Sequence, residues 1–334
     1  MPETILLAHG SGGKLAHRLI EENILSDLSN PMLARMDDSA VMEFSGQLAF
    51  TTDSYVVSPI FFPGGDIGKL SVCGTTNDLA MSGARPLYLS LSFIIEEGFP
   101  LSDLKRILSS IRDTAREAGV QIVTGDTKVV NRGNADKLYI NTAGIGRIKQ
   151  GTNISGANIV PGDKIILSGS IGDHGIAIMS KREGLHFSTD LQSDCAPLCG
   201  MVANMIATGA DIHALRDPTR GGVATTLNEM SEQSQVRIVI EEERIPVRDE
   251  VLGACEMLGF DPLYVANEGK LVAFVPSRDA QRVLDAMRRH PYGARAQVIG
   301  EVEQAETPCV VMKTVLGASR LVDMLVGDLL PRIC

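Results

Sequence analysis

Acidic side chains spread through the first half of the sequence suggest what chemistry it can do. Asp37 and Asp38 stand in RMDDSAVM, Asp53 in FTTDSYV, Asp78 in TTNDLAMSGA and Asp126 in VTGDTKVV, each beside small or hydroxyl residues. Carboxylates that converge on loops bind hard cations such as Mg²⁺, which takes oxygen ligands and keeps contact with substrate phosphates. Any one of them alone is equally a turn residue or a helix N-cap. A glycine loop, HGSGGK over 9–14, precedes them. Its bare backbone amides, followed by Lys14, suit phosphate oxygens, although the spacing is neither a P-loop nor GxGxxG. The last side chain is a thiol, Cys334 in LLPRIC. Exposed thiols oxidise and mispair, so that position is either an accident of composition or a reactive group that travels.

These groups need elements to position them. LAFTTDSYVV (48–57), LYLSLSFII (87–95), VQIVTGDTKVV (120–130) and KLYINTAGIGRI (137–148) alternate and are rich in β-branched residues, which predicts strands. Residues 67–84 and 101–119 carry apolar residues at helical spacing, the second stopping on Gly119. A boundary falls near 149–163. Beyond it DKIILSGSIGDHGIAIM reads as strand, glycine turn and helix. A helix is expected around 194–208 and another after the loop LRDPTRGG. A strand is expected over 235–246, a helix over 249–262, then strand and helix from Lys270. Strands and helices alternate without strict βαβ regularity, so the expected class is α+β with helices on one side of the sheets.

Length and composition narrow the possibilities. A chain of 334 residues predicts two domains. Its 44% hydrophobic and 22% charged content suits an ordinary globular enzyme. The absence of tryptophan and a net charge of −10 argue against a nucleic-acid-binding surface. Six scattered cysteines fit a reduced, cytoplasmic setting. No signal-like leader or long apolar run points to secretion or membrane spanning. Cys195 and Cys199 form CxxxC with no second pair, which favours small buried helix residues over zinc; Cys73, Cys255 and Cys309 read as core.

DDSAV, TTDS, NDLAMSGARP, GDTKVV, SGSIGDHG, RDPTRGGV and NEGKL occur in this order along the chain. The series resembles the ATP-binding superfamily of aminoimidazole ribonucleotide synthetase, thiamine-monophosphate kinase and selenophosphate synthetase. HGSGGK, FFPGGDIGKL, GDHG and the closing PRIC look most like its hydrogenase-maturation branch, the carbamoyl dehydratases. Selenophosphate synthetase places a reactive Cys or selenocysteine just before the loop lysine, where this sequence has Gly13.

The resemblance implies an N-terminal mixed-sheet domain (1–155) that binds ATP and forms the core of a homodimer. It also implies a C-terminal α+β domain (156–310) and a mobile segment (311–334) ending in the reactive cysteine. It implies ATP with Mg²⁺, a HypF-like carbamoyltransferase as donor and an iron-carrying HypC–HypD-like scaffold as acceptor. Cys334 would carry a carbamoyl group through dehydration to thiocyanate, the precursor of a cyanide ligand for [NiFe]-hydrogenase iron. Glu268 would be the base and Lys128 its electrostatic partner, while Asp38 (or Asp37), Asp78 and Asp126 would hold metal, with Asp53 beside them. Gly12, Gly13, Lys14, Asp53, Asn77, Arg220, Gly221 and Gly222 would serve the nucleotide, with Arg220 alternatively anchoring its own loop by an ion pair. His174 holds a phosphate, orients the tail or bonds a turn. Six residues after Asp328 can reach about 20 Å, enough to enter a cleft, and Arg332 could offset the charge beside Cys334. Two other readings stay open: a small-molecule phosphotransferase of the same fold, and a non-catalytic thiol carrier.

Overall fold

The structure, a computed structural model, describes residues 3–10, 14–36, 39–184, 191–324 and 332–334. Gly12, Gly13, Asp37 and Asp38 lie outside the described residues, as does the side chain of Lys14.

Strand β1 (Leu48–Tyr55) leads through helix α1 (Ile67–Met81) to strand β2 (Ala84–Glu96). Helix α2 (Leu101–Ala118), β3 (Gln121–Val130) and β4 (Leu138–Ile148) complete a four-stranded sheet in the order β1-β4-β2-β3. Only β2 and β3 pair in parallel, joined by α2. Helix α2 is amphipathic and ends on Gly119 at φ 69°, the left-handed conformation that glycine adopts without a Cβ penalty. Helix α1 is buried on nearly every side, because the sheet lies against one face and the second half of the chain against the other. Its N-cap is Asp66, whose carboxylate accepts from the Gly68 and Lys69 amides at 2.8 and 3.0 Å. It stops at Met81 rather than at residue 84, where β2 already begins.

The second sheet has seven strands: β5 (Asp163–Leu167), β6 (Ala214–Arg216), β7 (Arg237–Glu241), β8 (Val272–Pro276), β9 (Gln297–Glu303), β10 (Cys309–Lys313) and β11 (Ser319–Leu321), ordered β11-β10-β7-β9-β5-β8-β6. Around it lie α3 (Asp173–Glu183), α4 (Cys199–Ala207), α5 (Gly222–Ser234), α6 (Asp249–Leu258) and α7 (Ser277–Arg288). The expected α+β class holds, but helices are not confined to one side: α5 shares a core with Ile165 and Leu167 of β5, and α7 shares one with Ile166 on the opposite face.

Two expectations need correction. The strand over 235–246 ends at Glu241 and turns through Glu242–Arg244. The helix expected from residue 194 starts at Cys199, because the polar groups of 194–198 are drawn to other elements: Cys195 N–H donates to Ser193 Oγ and Leu198 N–H to Asn77 Oδ1. Cys195 therefore sits in an irregular buried segment, not on a helix. Cys309 is only half-buried on its strand. Among the described residues no helix is long and apolar enough to cross a membrane.

Candidate active site

Strand alternation and pairing register decide which acids meet. Along β1, Thr51, Asp53 and Tyr55 turn toward α1, while Leu48, Phe50, Thr52 and Ser54 face the other way. The Asp78 carboxylate on α1 accepts from Thr51 Oγ1 at 3.0 Å. Tyr55 Oη lies 3.5 Å from Asp53 Oδ2 and 3.1 Å from Thr75 Oγ1, which in turn meets Thr142 Oγ1 at 2.5 Å. This hydroxyl relay ends on Ser71 O and fixes the α1 face beneath the acids. Burial, then Asp217 and Asp53, push the Asp78 carboxyl up to about 8. Burial also pushes Asp217, in the RDPTR loop, up to about 6.

Glu268 completes the group. Its side chain is buried, and its Oε1 has no hydrogen-bond partner among the described residues. Burial first, then the neighbouring Cys195, Asp217, Asp194 and Asp53, hold its carboxyl well above the usual range and so disfavour its charged form. The loop that presents it is fastened on three sides. Asn267 Oδ1 accepts from Gly172 N, and its Nδ2 donates to Pro218 O and Val265 O. Asp194 accepts from Glu268 N at 3.0 Å and Lys270 Nζ at 2.9 Å. Burial alone would raise Asp194, but Lys270 and the Glu268 amide hold it below the usual range. A Cβ on Gly269 would come within 1.8 Å of Asp194 O, so only glycine permits this approach. The three glycine-bearing motifs of the second half thus meet at one place.

Other sequence candidates land differently. Asn77 is buried and spends its amide on protein: Nδ2 donates to Ala196 O at 3.1 Å and Glu268 O at 3.4 Å, and Oδ1 accepts from Leu198 N. It positions the Glu268 loop and is not aimed at a nucleotide. Asn77→Ala would strand those buried partners, at about 1–3 kcal/mol each. Denaturant unfolding should show at least that loss.

Arg220 is exposed and makes no ion pair among the described residues, which removes the loop-anchoring alternative. Gly221 and Gly222 have φ of 76° and 61°, and a Cβ on Gly222 would meet Leu263 O at 2.4 Å. Both glycines are required by the turn into α5.

Asp126 and Lys128 form an exposed ion pair of 2.9 Å on edge strand β3. The row Asp53–Thr142–Leu91–Gly125 crosses the whole sheet. Three interstrand steps of about 4.8 Å make that roughly 14 Å. Asp126 is one residue further along, hence on the opposite face. One chain therefore does not bring Asp78 and Asp126 to one ion, nor Lys128 to Glu268. Among the described residues no group of three or more His, Cys, Asp or Glu side chains has the spacing to ligate a metal directly. Asp126 and Lys128 instead edge a cavity of about 280 Å³ that His9, Leu28, Leu33 and Phe93 also line.

The last residues are docked. Val56 N–H donates to Cys334 O at 3.1 Å and Ser58 N–H to Arg332 O at 3.2 Å. Ile333 is buried, and Cys334 packs half-buried against the core that contains Tyr55, Cys73 and Cys195. His174 Nε2 lies 2.9 Å from Ile333 O, which can only accept, so Nε2 carries the proton and Nδ1 accepts from Ser193 Oγ at 2.8 Å. Burial lowers the His174 pKa, and the ring is neutral. Of its three possible uses, His174 contacts the tail. Arg332 is committed to Asp136 (2.5 Å) and Val56 O (2.9 Å), not to the charge beside Cys334.

Sequence reasoning did not single out Asp217, Asp194 or Asn267, although RDPTR and NEGK were both visible as motifs.

The AIR synthase related protein N-terminal domain matches residues 36–148 and the C-terminal domain matches 160–313. Carbamoyl dehydratase HypE of Azotobacter vinelandii is 54% identical over 332 residues, 99% of this chain and 97% of that protein. A crystal structure of hydrogenase maturation protein HypE in complex with ATP aligns with a TM-score of 0.97 at 51% identity, over 99% of this chain and 100% of that one. A chain of a crystallised HypE–HypF complex aligns at 0.82 and 50% identity, over 92% and 99%. The chain belongs to the HypE family of carbamoyl dehydratases, within the AIR synthase related proteins.

Proposed function

We propose that this chain uses ATP and Mg²⁺ to dehydrate a carbamoyl group carried on Cys334 to a thiocyanate, the source of the cyanide ligand for [NiFe]-hydrogenase iron. The observation that carries the reading is Glu268. A buried carboxyl whose charged form is disfavoured, with one oxygen lacking a partner among the described residues, stands beside Cys195, in the core against which Cys334 packs.

The balance is R–S–C(=O)–NH₂ + ATP → R–S–C≡N + ADP + phosphate: the C–O bond breaks, the oxygen leaves as phosphate, and two N–H protons are lost. Bound Mg-ATP supplies the phosphoryl group that makes the amide oxygen a leaving group. His174 and the Val56 amide hold the tail backbone. Burial disfavours the charged form of Glu268, and positive charge entering beside it would favour the carboxylate that takes an N–H proton. Asp53, Asp78 and Asp217 suit a hard cation, since burial and neighbouring carboxyls raise Asp78 and Asp217, and Mg²⁺ tolerates water-bridged acids. The cavity edged by Asp126 and Lys128, next to Gly10, suits the nucleotide, with Gly12, Gly13 and Lys14 as its phosphate loop.

We also propose a homodimer, which the open side of the first sheet supports with Phe50 71% and Ile94 45% exposed. Pairing through this face is also what would bring the Asp126–Lys128 edge of one chain toward the acids of another. The HypF-like carbamoyltransferase would load Cys334, and the HypC–HypD-like scaffold would receive cyanide.

The acids also give a pH dependence. A carboxyl raised from its ordinary value to about 8 keeps its proton in the folded state, so its stabilising share falls as pH rises toward 8. Mg²⁺ must displace that proton, so its binding strengthens over the same interval. Added Mg²⁺ should raise the melting temperature more above pH 8 than below pH 6. Asp78→Asn should remove most of this gain and stabilise the metal-free protein at high pH. Equal Mg²⁺ gains at both pH values would overturn the assignment.

The function is tested by loading Cys334 with a carbamoyl group, adding Mg-ATP and weighing the C-terminal peptide. Loss of one water from that peptide supports the reading; an unchanged mass while ATP is consumed leaves only a carrier with a regulatory nucleotide site.

A further inference from the structure

Helix α3 faces the docked tail with one stripe, His174, Ile178 and Arg182, at i, i+4 and i+8. Ile178 is fully buried in the same core as Ile333. His174 takes Ile333 O at the start of the helix. At its other end Arg182 donates from Nε and Nη2 to Ser58 O at 3.0 and 2.6 Å, and from Nη2 to Arg332 O at 2.9 Å. Ser58 N–H donates to that same Arg332 O. One guanidinium thus ties the tail to the segment that continues β1.

We propose that Arg182 is a tail-positioning residue, the second half of a latch on α3 that sets how much of the time Cys334 is docked. This rests on the reading of Cys334 as the carrier only for its consequence in turnover, not for the docking itself. The latch takes carbonyls: Arg332 O by Arg182 and Ser58 N, Ile333 O by His174, and Cys334 O by Val56 N. A main-chain latch holds the tail in one register whatever group the sulfur bears. Arg182 is a strong member because hydrogen bonds from a charged donor exceed neutral ones by roughly two-fold. Lysine keeps the charge but cannot span two carbonyls with a planar fork.

The test is the alkylation rate of Cys334 by iodoacetamide in the full chain, followed by peptide mass analysis, with half-buried Cys309 on β10 as internal reference. Arg182→Ala should speed Cys334 alkylation roughly ten-fold or more, the loss expected for charged hydrogen bonds, and leave the Cys309 rate unchanged. Arg182→Lys should fall between. In single turnover of the loaded tail, Arg182→Ala should lower the rate constant while the ATP concentration for half-maximal rate stays unchanged. If Arg182→Ala misfolds, Arg182→Lys gives the same readout, as does Asp136→Asn, which removes the ion pair of Arg332 at the far side of the tail and leaves its bond to Val56 O.

A Cys334 rate equal to the parent's in folded variants overturns the latch. So does a Cys309 rate that rises in step, since that is general loosening. Faster alkylation with no dehydration even in the parent chain keeps the latch and overturns the proposed function.

Discussion

Glu268→Gln is expected to lower thiocyanate formation by roughly 10²–10⁴-fold, the range for loss of a general base. The protein should remain folded. Burial and the neighbouring acids already disfavour the charged form of the native side chain, so an amide of the same shape removes the titrating proton without adding a buried charge. The sign of the stability effect follows. A carboxyl whose folded pKa is raised favours the folded state less as pH climbs above its ordinary value, and the glutamine variant should escape that decline. Thermal melts across neutral to alkaline pH, together with single-turnover rates, separate this from unfolding. A variant that melts normally and turns over normally would remove Glu268 from the chemistry. A variant that loses activity only by losing its fold would leave it a structural residue.

Cys334→Ser should abolish thiocyanate formation outright while ATP binding stays at the parent level. The sulfur is the point of attachment, and the contacts that dock the tail are main-chain carbonyls that serine retains. A phosphotransferase acting on a free small molecule predicts the opposite, since its turnover has no need of the tail. Sustained ATP-dependent phosphorylation of a small acceptor by this variant would therefore favour that alternative. An ordinary thiol is only a few per cent ionised at neutral pH, so on the proposed reading loading would need activation by the partner or the pocket rather than by Arg332, which Asp136 holds.

What the sequence made legible was local. Alternation in FTTDSYV put Asp53 and Tyr55 on one face, and the structure keeps that parity. The glycine stop after α2 and the turn into α3 follow from residues beside them. What it hid depends on pairings between distant segments. Asp126 and Asp78 look alike as acids, yet Asp78 sits on α1 above β1, while strand order puts Asp126 at the other edge of the sheet and pleat parity turns it away from α1. Lys128 looks free to serve Glu268 until the same order puts it at the far edge of the sheet, where it pairs with Asp126 on its own strand. Asn77 reads as a polar ligand on a helix, and its partners at 196–198 and 268 lie more than a hundred residues on. Asp217 was passed over because Asp-Pro-Thr reads as a turn, and only burial beside Asp53 and Asp78 makes it a cleft acid. Arg182 carried no local signal at all: a cation in the last turn of a helix is ordinarily a favourable dipole partner, and only the tail's arrival gives it another role.

The central claim is that the oxygen removed from the Cys334-bound group departs on phosphate inside this cleft. Carbamoylated Cys334 bearing a heavy-isotope carbonyl oxygen, given unlabelled Mg-ATP in unlabelled water, should yield thiocyanate on the C-terminal peptide and place the label in inorganic phosphate in equal amount. Label recovered in bulk water, or phosphate released unlabelled while thiocyanate forms, would contradict it.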